Sequence, residues 1–269
     1  LLLGGFGAAS SQAAPGGLDP GFGEKPGRTI LDGPVTQTEA SPESGLGFED
    51  GSTIWAGSYQ DRPVLVKFLS DGSPAADFGN AGTVLLPETR GVSGWLRGVA
   101  RQDNAVLVLR YGGPGVSTVE RFDADTGRRD QNFGKNGVAA YDFSALTGNL
   151  RRVPAPMMVD VDASGRIYVA ASDGMFNSAR GIVRFNPNGK LDKTWGEDGI
   201  VVIHQGPCSR SAQGFAVINS HLYSYYSDCL RRFDDTGKID QTVEFAGPWY
   251  FDTDQLLPGP AGKGEDTRR

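Results

Sequence analysis

The stretch that decides the fold reads Ile182-Val183-Arg184-Phe185-Asn186-Pro187-Asn188-Gly189-Lys190-Leu191-Asp192-Lys193-Thr194-Trp195-Gly196-Glu197-Asp198-Gly199. A short apolar run leads to Arg-Phe, a turn that ends in Gly, a Leu-Asp pair and then an aromatic residue before Gly. The apolar run has the residue types of a β-strand, and Asn-Pro-Asn-Gly is typical of tight turns. The stretch therefore predicts a strand that ends at a turn and leads into an irregular return segment.

Further copies of this pattern, some of them partial, occur along the chain. The glycine of the aromatic-Gly pair stands at positions 23, 79, 134 and 196, which are separated by 56, 55 and 62 residues. Such even spacing indicates a repeat architecture in which each unit is one supersecondary element. The other copies are Leu18-Asp19-Pro20-Gly21-Phe22-Gly23, Val66-Lys67-Phe68 to Phe78-Gly79, Arg121-Phe122 to Phe133-Gly134, and Arg232-Phe233 to Asp240.

A second element recurs between these markers, a turn followed by β-branched, aliphatic or aromatic residues. It occupies residues 50–57, 103–109, 164–171 and 219–225. Together the two elements predict four strands per repeat, placed in the third repeat at about 137–143, 157–162, 166–172 and 181–186. The repeated Phe residues are expected to pack between neighbouring units: Phe68, Phe122, Phe185 and Phe233.

Four antiparallel strands per unit, repeated radially, are typical of a propeller blade, which leaves only short, protected sheet edges. The sequence therefore predicts an all-β protein, a β-propeller of about four four-stranded blades built from repeats of roughly 55 residues over 15–250. One alternative is a fifth blade, assembled from residues 245–260 and the stretch before residue 31. Another is a fragment of a larger ring.

The combination of Arg-Phe, turn Gly, Leu-Asp and Phe-Gly with a Gly three residues on resembles the bacterial delta-60 repeat. The resemblance covers about residues 17–245 and implies propeller-like β-structure in an exported protein. The sequence departs from the pattern where Ala75 replaces the expected Asp, where Gly27 comes one place late, and where Val243-Glu244 replaces the last aromatic-Gly. The family carries no catalytic residues that could be transferred to this chain.

Composition and the first residues indicate the compartment. The chain has 39 Gly and 16 Pro in 269 residues and a formal charge of −6 without a clustered basic face, which argues against nucleic acid as a partner. Residues 1–9 are apolar, and Ser11-Gln12-Ala13 places small residues where a signal peptidase cleaves. Residues 1–14 are therefore predicted to be the remnant of a secretory signal. The alternative is an unstructured Ala/Gly-rich start. No stretch reaches the roughly 18 apolar residues of a membrane span. Residues 251–269 are predicted to be a polar, disordered tail.

The two cysteines, Cys208 and Cys229, fit an exported chain and are predicted to form a disulfide. The bond would close a loop of about 20 residues, for which chain entropy gives about 3 kcal/mol. The alternative is a pair of unpaired thiols.

Several charged residues have a structural and a functional interpretation. The recurring acidic residues Asp19, Asp130, Asp192 and Asp240 are predicted to cap turns, with a ring of metal ligands as the alternative. The recurring basic residues Lys67, Arg121, Arg184 and Arg232 are predicted to pair with acidic residues of their own blade, with an anion-binding channel as the alternative. The segment 160–165 resembles a calcium loop but is predicted to be a turn, because Ala171 stands where an EF-hand has its Glu.

The remaining candidates are aromatic residues, histidines and loops. His221 is expected to be exposed, His204 has no diagnostic neighbour, and Tyr111–Gly115 is predicted to be a loop. Core positions are predicted for Trp55, Tyr168, Trp195, Tyr223, Tyr225 and Tyr226. Ligand-facing positions are predicted for Trp95, Trp249 and Tyr250. The long loops expected to make contacts are residues 36–46 and 141–156.

No catalytic or nucleotide-binding motif occurs in the sequence. The sequence therefore favours a non-enzymatic binding or scaffold module, periplasmic or extracellular, that contacts a protein or a glycan through loops on one face. We expect a monomer without a cofactor. The alternative is an enzyme of the lyase, hydrolase or dehydrogenase type with a site at the central channel.

Overall fold

A computed structural model of the chain describes residues 40–59, 62–87, 96–147, 154–172, 179–203, 214–218, 221–226 and 229–244. In this part of the chain the secondary structure consists of sixteen β-strands and one short 3-10 helix, Phe143–Thr147. No helix of these residues is long and apolar enough to cross a membrane. The all-β class predicted from the sequence is confirmed.

The strands form four sheets of four antiparallel strands, which are the four blades of a β-propeller. Blade 1 contains β1 (Ala40–Gly47), β2 (Thr53–Tyr59), β3 (Arg62–Phe68) and β4 (Thr83–Leu85). Blade 2 contains β5 (Leu96–Gln102), β6 (Ala105–Gly113), β7 (Val116–Asp123) and β8 (Val138–Asp142). Blade 3 contains β9 (Ala155–Val161), β10 (Ile167–Ser172), β11 (Ala179–Phe185) and β12 (Ile200–Val202). Blade 4 contains β13 (Gly214–Ile218), β14 (His221–Tyr225), β15 (Cys229–Phe233) and β16 (Ile239–Glu244).

The predicted number of strands per repeat is confirmed, but the predicted grouping of the fourth strand is wrong. The sequence predicts the strand at 137–143 as part of the third repeat, whereas Val138–Asp142 pairs with β7 of blade 2, with Glu120 opposite Val138 and Val116 opposite Asp142. The aromatic-Gly segment is therefore an excursion within a blade. It leaves the end of the third strand and returns as the fourth strand beside it.

Two predicted loops also lie partly in strands. Residues 36–46 were expected to be a contact loop, but Ala40–Gly47 forms β1, with a register shift between Pro42 and Ser44. Residues 111–115 were expected to be a loop, but β6 continues to Gly113 and the turn contains only Pro114 and Gly115. In both places pairing with a neighbouring strand overrides the weak strand preference of Gly and Pro.

The blades pack face to face in chain order. Their first strands lie against one another, β1 on β5, β5 on β9 and β9 on β13. Three apolar clusters fill the spaces between blades 1 and 2, 2 and 3, and 3 and 4. The repeated Phe122, Phe185 and Phe233 are almost fully buried in these clusters, as predicted. Phe68 is only partly buried, because it lies on the face of blade 1 that points away from blade 2.

The same face of blade 1 explains why the core assignment of Trp55 is wrong. Tyr168, Trp195, Tyr225 and Tyr226 are buried as predicted, and Tyr223 is partly buried, whereas 45% of Trp55 is exposed. The equivalent positions in blades 2 and 3 are Val108 and Val169, and both are fully buried against the preceding blade. Burial at this position therefore depends on a neighbouring blade and not on the strand itself.

A hydrogen bond that we call the latch joins each blade to the next. The amide of the aromatic-Gly glycine donates to a carbonyl in the turn of the following blade. These bonds run from Gly79 to Thr126 (2.9 Å), from Gly134 to Asn188 (2.7 Å) and from Gly196 to Thr236 (2.8 Å). The aromatic residue before each glycine is fully buried. The latch and the ring together cover the turn glycine of the next blade.

The latch requires glycine at its donor position. Gly134 has a φ of 58°, in the left-handed region, and a Cβ there would lie 2.1 Å from the carbonyl oxygen of Val138. We expect Gly134→Ala to lower the free energy of unfolding by about 2 to 3 kcal/mol, because backbone strain and a clash with a main-chain atom add. Denaturant unfolding measures the change.

The matched control is Gly47→Ala, since a Cβ at Gly47 meets nothing within 4 Å. This variant should unfold within about 0.5 kcal/mol of the parent. Equal stability of the two variants would contradict the role of the latch glycine.

Candidate binding surface

The strand register divides the molecule into two ends. Thr53 pairs with Gly47 and with Phe68, so the connections between first and second and between third and fourth strands lie at one end, the turn end. Tyr59 pairs with Ala40 and Arg62 at the other end, the loop end. The loop end holds the connections between second and third strands and those between blades.

At the turn end, aspartates hold short turns by accepting backbone amide hydrogen bonds. Their side-chain oxygens accept from the amide two residues on, in Asp50 to Ser52 (2.9 Å), Asp71 to Ser73 (2.8 Å), Asp162 to Ser164 (2.9 Å) and Asp234 to Thr236 (2.8 Å). Hydrogen bonds from the hydroxyls of Ser52, Ser73 and Thr236 lower the pKa of Asp50, Asp71 and Asp234. These turns therefore present carboxylates that are already engaged by the chain.

Three of the four recurring basic residues form ion pairs with an aspartate of their own blade, as predicted. The prediction is wrong for Lys67, which contacts Asp125 of blade 2 instead, and the recurring Asp19 lies outside the described residues. Arg184 contacts Asp192 at 2.7 Å in a pair that is nearly buried. The equivalent pairs are Arg121 with Asp130 (3.0 Å) and Arg232 with Asp240 (2.8 Å), and both are partly exposed. The hydrogen bond from Arg121 lowers the pKa of Asp130. The turn-capping role of Asp130 and Asp192 is also confirmed, since they accept the amides of Asn132 (2.8 Å) and Thr194 (3.1 Å).

The same basic residues reach the next blade. Arg121 donates to the carbonyl of Pro187 at 2.9 Å and Arg184 to that of Asp235 at 3.3 Å. In blade 1, where Ala75 stands in place of Asp, Lys67 donates to the carbonyl of Ala124 at 2.8 Å and contacts Asp125 of blade 2 at 3.3 Å. These bonds account for the recurring charges as links between blades, so an anion-binding channel is not needed to explain them.

Two carboxylates of the calcium-like segment are also bound by the chain. Asp160, on β9, accepts the amides of Val217 (2.7 Å) and Val161 (2.8 Å). Burial raises the pKa of Asp160. Asp162 accepts the amide of Arg166 at 2.9 Å and pairs with its guanidinium, which confirms the predicted turn. Within the described ranges, no group of three or more His, Cys, Asp or Glu residues is arranged to hold a metal ion.

The loop end carries a row of hydroxyl groups on blade 2. Tyr111, Ser117 and Tyr141 are directly opposite one another on β6, β7 and β8, and they share the face that points to blade 3. Ser117 is 2% exposed, and its hydroxyl has no hydrogen-bond partner among the described residues. Both tyrosines are partly exposed, and the ring of Tyr141 packs edge-on against Phe143 at 4.7 Å.

Burial raises the pKa of Tyr141, and the nearby carboxylates of Asp198 and Asp142 raise it further. The phenol therefore stays neutral and can donate a hydrogen bond across the physiological pH range. Two amphipathic rings on either side of a buried hydroxyl form a surface that can stack and hydrogen-bond at once. The sequence pattern does not reveal this row, because Tyr111 and Tyr141 stand far apart in the chain and only the register of β6 to β8 aligns them.

The three residues predicted to face a ligand, Trp95, Trp249 and Tyr250, lie outside the described residues. So do Cys208, His204 and residues 148–153 of the predicted contact loop 141–156. Residues 143–147 of that loop form the 3-10 helix at the loop end. Leu96, which follows Trp95, opens β5 at the loop end, and Cys229 is fully buried where β15 begins. His221 is exposed at the start of β14, as predicted.

The fold is similar to solved structures that include a β-propeller. A protein from Lactobacillus plantarum is 14% identical with a TM-score of 0.50, over 82% of this chain and 60% of its own. A Bacteroides caccae protein of unknown function is 13% identical with a TM-score of 0.47, over 81% and 65%. The Dos1 propeller is 10% identical with a TM-score of 0.47, over 78% and 50%. The chain thus spans between half and two thirds of the length of these proteins, and the likeness concerns the fold alone.

No protein-family model matches the chain, and no curated protein matches it. The structure shows four propeller blades in the described part of the chain, while the alternative fifth blade from residues 245–260 and the stretch before residue 31 lies outside it. The kinship of the repeat with the delta-60 repeat stays a prediction.

The Arg184–Asp192 pair should make stability depend on acid pH. Burial raises the pKa of Asp192, but hydrogen bonds from Thr194 and Arg184 outweigh it, so the folded pKa lies below the ordinary value of about 3.9. A depressed carboxylate pKa stabilises the fold above the unfolded pKa, and this stabilisation is lost as the pH falls through the folded pKa. We expect Asp192→Asn to lower Tm at pH 7 and to flatten the fall in Tm below about pH 4.

Thermal unfolding between pH 7 and pH 2 measures this difference. Asp77→Asn is the control, because Asp77 is exposed and lies outside the ion pairs. The interpretation is wrong if Asp192→Asn and Asp77→Asn give the same curve of Tm against pH.

Proposed function

We propose that this protein is an exported, non-enzymatic β-propeller that binds a protein or a glycan through its loop end. The observation that carries the proposal is the contrast between the two ends. At the turn end, the recurring charges are used in Asx turns, ion pairs and links between blades. At the loop end lie the partly exposed Tyr111 and Tyr141 and the buried Ser117 hydroxyl, which has no hydrogen-bond partner among the described residues.

Loops on a rigid scaffold are the usual carriers of recognition, since they can vary without disturbing the core. In this protein the latches that join the blades lie at the turn end. Changes in the sequence of the connections at the loop end therefore leave the latches intact. Tyrosine suits such a surface because its ring offers apolar area and its hydroxyl offers a hydrogen bond. We infer that Tyr111, Ser117 and Tyr141 form part of the contact surface, together with Trp95 and the aromatic pair Trp249 and Tyr250.

An enzymatic site at the channel would need converging titratable side chains on the first strands. Of the four first strands, β5, β9 and β13 have every side chain among those the structure describes, and their titratable residues are Arg97, Arg101 and Asp160. Both oxygens of Asp160 accept backbone amides, so this carboxylate serves to hold β13 against β9. These three strands therefore offer no pair of groups placed for acid–base chemistry, and we favour binding over catalysis.

The binding surface can be tested with Tyr111→Ala combined with Tyr141→Ala. The probes are a printed array of bacterial surface and host glycans, and photo-crosslinking in the producing cell from a photoreactive residue at position 114, which is exposed in the neighbouring turn at the loop end. We expect the double variant to weaken any association by at least about tenfold, because it removes two stacking contacts.

The control is Leu69→Ala, which removes an exposed apolar side chain from the turn end. It should bind as the parent does. The proposal fails if Leu69→Ala abolishes an association that the tyrosine double variant retains, or if neither probe finds a partner.

We also propose that the protein works in the periplasm or outside the cell, with a disulfide between Cys208 and Cys229. The apolar residues 1–9 and the small residues at 11–13 support export, and an oxidising compartment favours a disulfide. The resemblance of the repeat to the exported delta-60 repeat agrees with this. We further propose a monomer without bound cofactor or nucleic acid, in keeping with the net charge of −6 and the lack of a clustered basic face.

The disulfide predicts that the denatured, unreduced protein shows no reactive thiols and that reduction exposes two. Reduction should lower the free energy of unfolding by about 3 kcal/mol, through the entropy of the opened loop. A thiol-labelling assay with mass spectrometry counts the groups. In a Cys208→Ser and Cys229→Ser double variant, reductant should leave stability unchanged; two labelled thiols before reduction would refute the bond.

A further inference from the structure

Two Asn-Gly pairs occur in the described residues, Asn136-Gly137 in blade 2 and Asn188-Gly189 in blade 3. In both pairs the asparagine is exposed and the glycine is buried. Such a pair is a place where an asparagine side chain reacts readily with the main chain, because glycine has no side chain to shield its nitrogen. The two pairs differ in how firmly the structure holds the peptide group between their residues.

The first pair lies in a type I′ turn, the two-residue turn that favours Asn-Gly. Asn136 has a φ of 54° and Gly137 a φ of 83°. The hydrogen bonds across the turn join Lys135 and Val138, at 2.7 Å and 3.2 Å. Among the described residues, neither the carbonyl of Asn136 nor the amide of Gly137 makes a hydrogen bond. Rotation of this peptide group therefore breaks no hydrogen bond of its own.

The equivalent turns of blades 1 and 3 hold this peptide group. There the glycine amide donates to the carbonyl of the aromatic residue before the latch glycine, from Gly82 at 2.9 Å and from Gly199 at 2.8 Å. Gly137 makes no such bond in the described part of the chain. The residue before the glycine is Ala81 in blade 1 and Asp198 in blade 3. Of these three turns, the one with asparagine is thus the one whose peptide group is loose.

The second pair is fixed on both sides of its peptide group. The amide of Gly189 donates to the carbonyl of Asn186 at 2.8 Å, and the carbonyl of Asn188 accepts the latch from Gly134 at 2.7 Å. The side-chain oxygen of Asn188 also accepts the amide of Lys190 at 3.1 Å. Rotation of this peptide group would break the latch between blades 2 and 3.

We propose that Asn136 is a site of spontaneous modification, at which the side-chain amide is lost through a succinimide ring formed with Gly137. The nitrogen of Gly137 attacks the side-chain carbonyl carbon of Asn136, Cγ, and gives up its proton. The new bond from nitrogen to Cγ closes the ring while the bond from Cγ to Nδ2 breaks, and ammonia leaves with the proton. Ring closure requires rotation about ψ of Asn136, which moves the peptide group that is loose in this turn.

Water then opens the ring at either of its two carbonyl carbons. Attack at Cγ gives aspartate, which fits the turn because Asp198 occupies the same place in blade 3 with a φ of 57°. Attack at the main-chain carbonyl carbon gives isoaspartate, in which the main chain runs through Cγ and is longer by one carbon. Isoaspartate therefore changes the main chain between the latch donor Gly134 and β8, whereas aspartate leaves it as it is.

Peptide mapping of the full chain tests the site. The folded protein is kept at mildly alkaline pH, which favours loss of the amide proton, and is then digested at acidic pH and read by tandem mass spectrometry. Chromatography separates the aspartate and isoaspartate products, which have the same mass. We expect acid to form at position 136 at least about tenfold faster than at position 188, because hydrogen bonds on both sides of the Asn188 peptide group must break before it rotates.

The control is the same chain in concentrated guanidinium chloride. Both sites are Asn-Gly pairs, so the two rates should become alike once the hydrogen bonds around Asn188 are lost. Three results would overturn the proposal. They are equal rates at the two positions in the folded protein, a preference for position 136 that persists unchanged in the denaturant, and no acid at position 136 of the folded protein over a period that converts it in the denaturant.

Discussion

The hydrogen bond from an aromatic-Gly amide to the next blade's turn is the constraint on which the rest of this structure depends. Its donor glycines have φ between 58° and 59°, which other residues adopt only at a cost. The bond fixes the turn of the next blade against the buried aromatic ring before the glycine. Because this contact repeats from blade to blade, it sets the spacing and the angle of the sheets at the turn end.

The latch also decides where charges can be used. It brings the turn carbonyls of the next blade within reach of Arg121 and Arg184, which also pair with an aspartate of their own blade. Where that aspartate is missing, at Ala75, the chain has Lys67, whose single ammonium group bonds the next blade directly. A guanidinium can bond two partners at fixed angles, whereas an ammonium is a point charge. Lys67 in place of Arg therefore suits blade 1, where Ala75 has removed the aspartate that would be the second partner.

A second electrostatic feature lies deeper between blades 1 and 2. The carboxylate of Glu120 forms ion pairs with Arg110 at 2.7 Å and with Arg129 at 2.8 Å. Arg110 also donates a hydrogen bond to the carbonyl of Pro87 at 2.9 Å. Glu120 and Arg110 are buried and have lost their hydration. The attraction between the two charges must offset the cost of this desolvation. The bond to Pro87 holds the end of blade 1 against blade 2, close to the loop end where the proposed binding surface lies.

The sequence by itself determined the repeat, the four strands per unit, the Phe residues between blades and the Arg–Asp pairs. These follow from local chemistry, since turn glycines, β-branched runs and recurring charges act over a few residues. Tertiary structure decided the assignment of Val138–Asp142 to blade 2, the strand at Ala40–Gly47, the exposure of Trp55 and the row of Tyr111, Ser117 and Tyr141. Each of these depends on which strand pairs with which, or on whether a neighbouring blade covers a face. Such contacts join residues far apart in the chain, and no local pattern in the sequence encodes them.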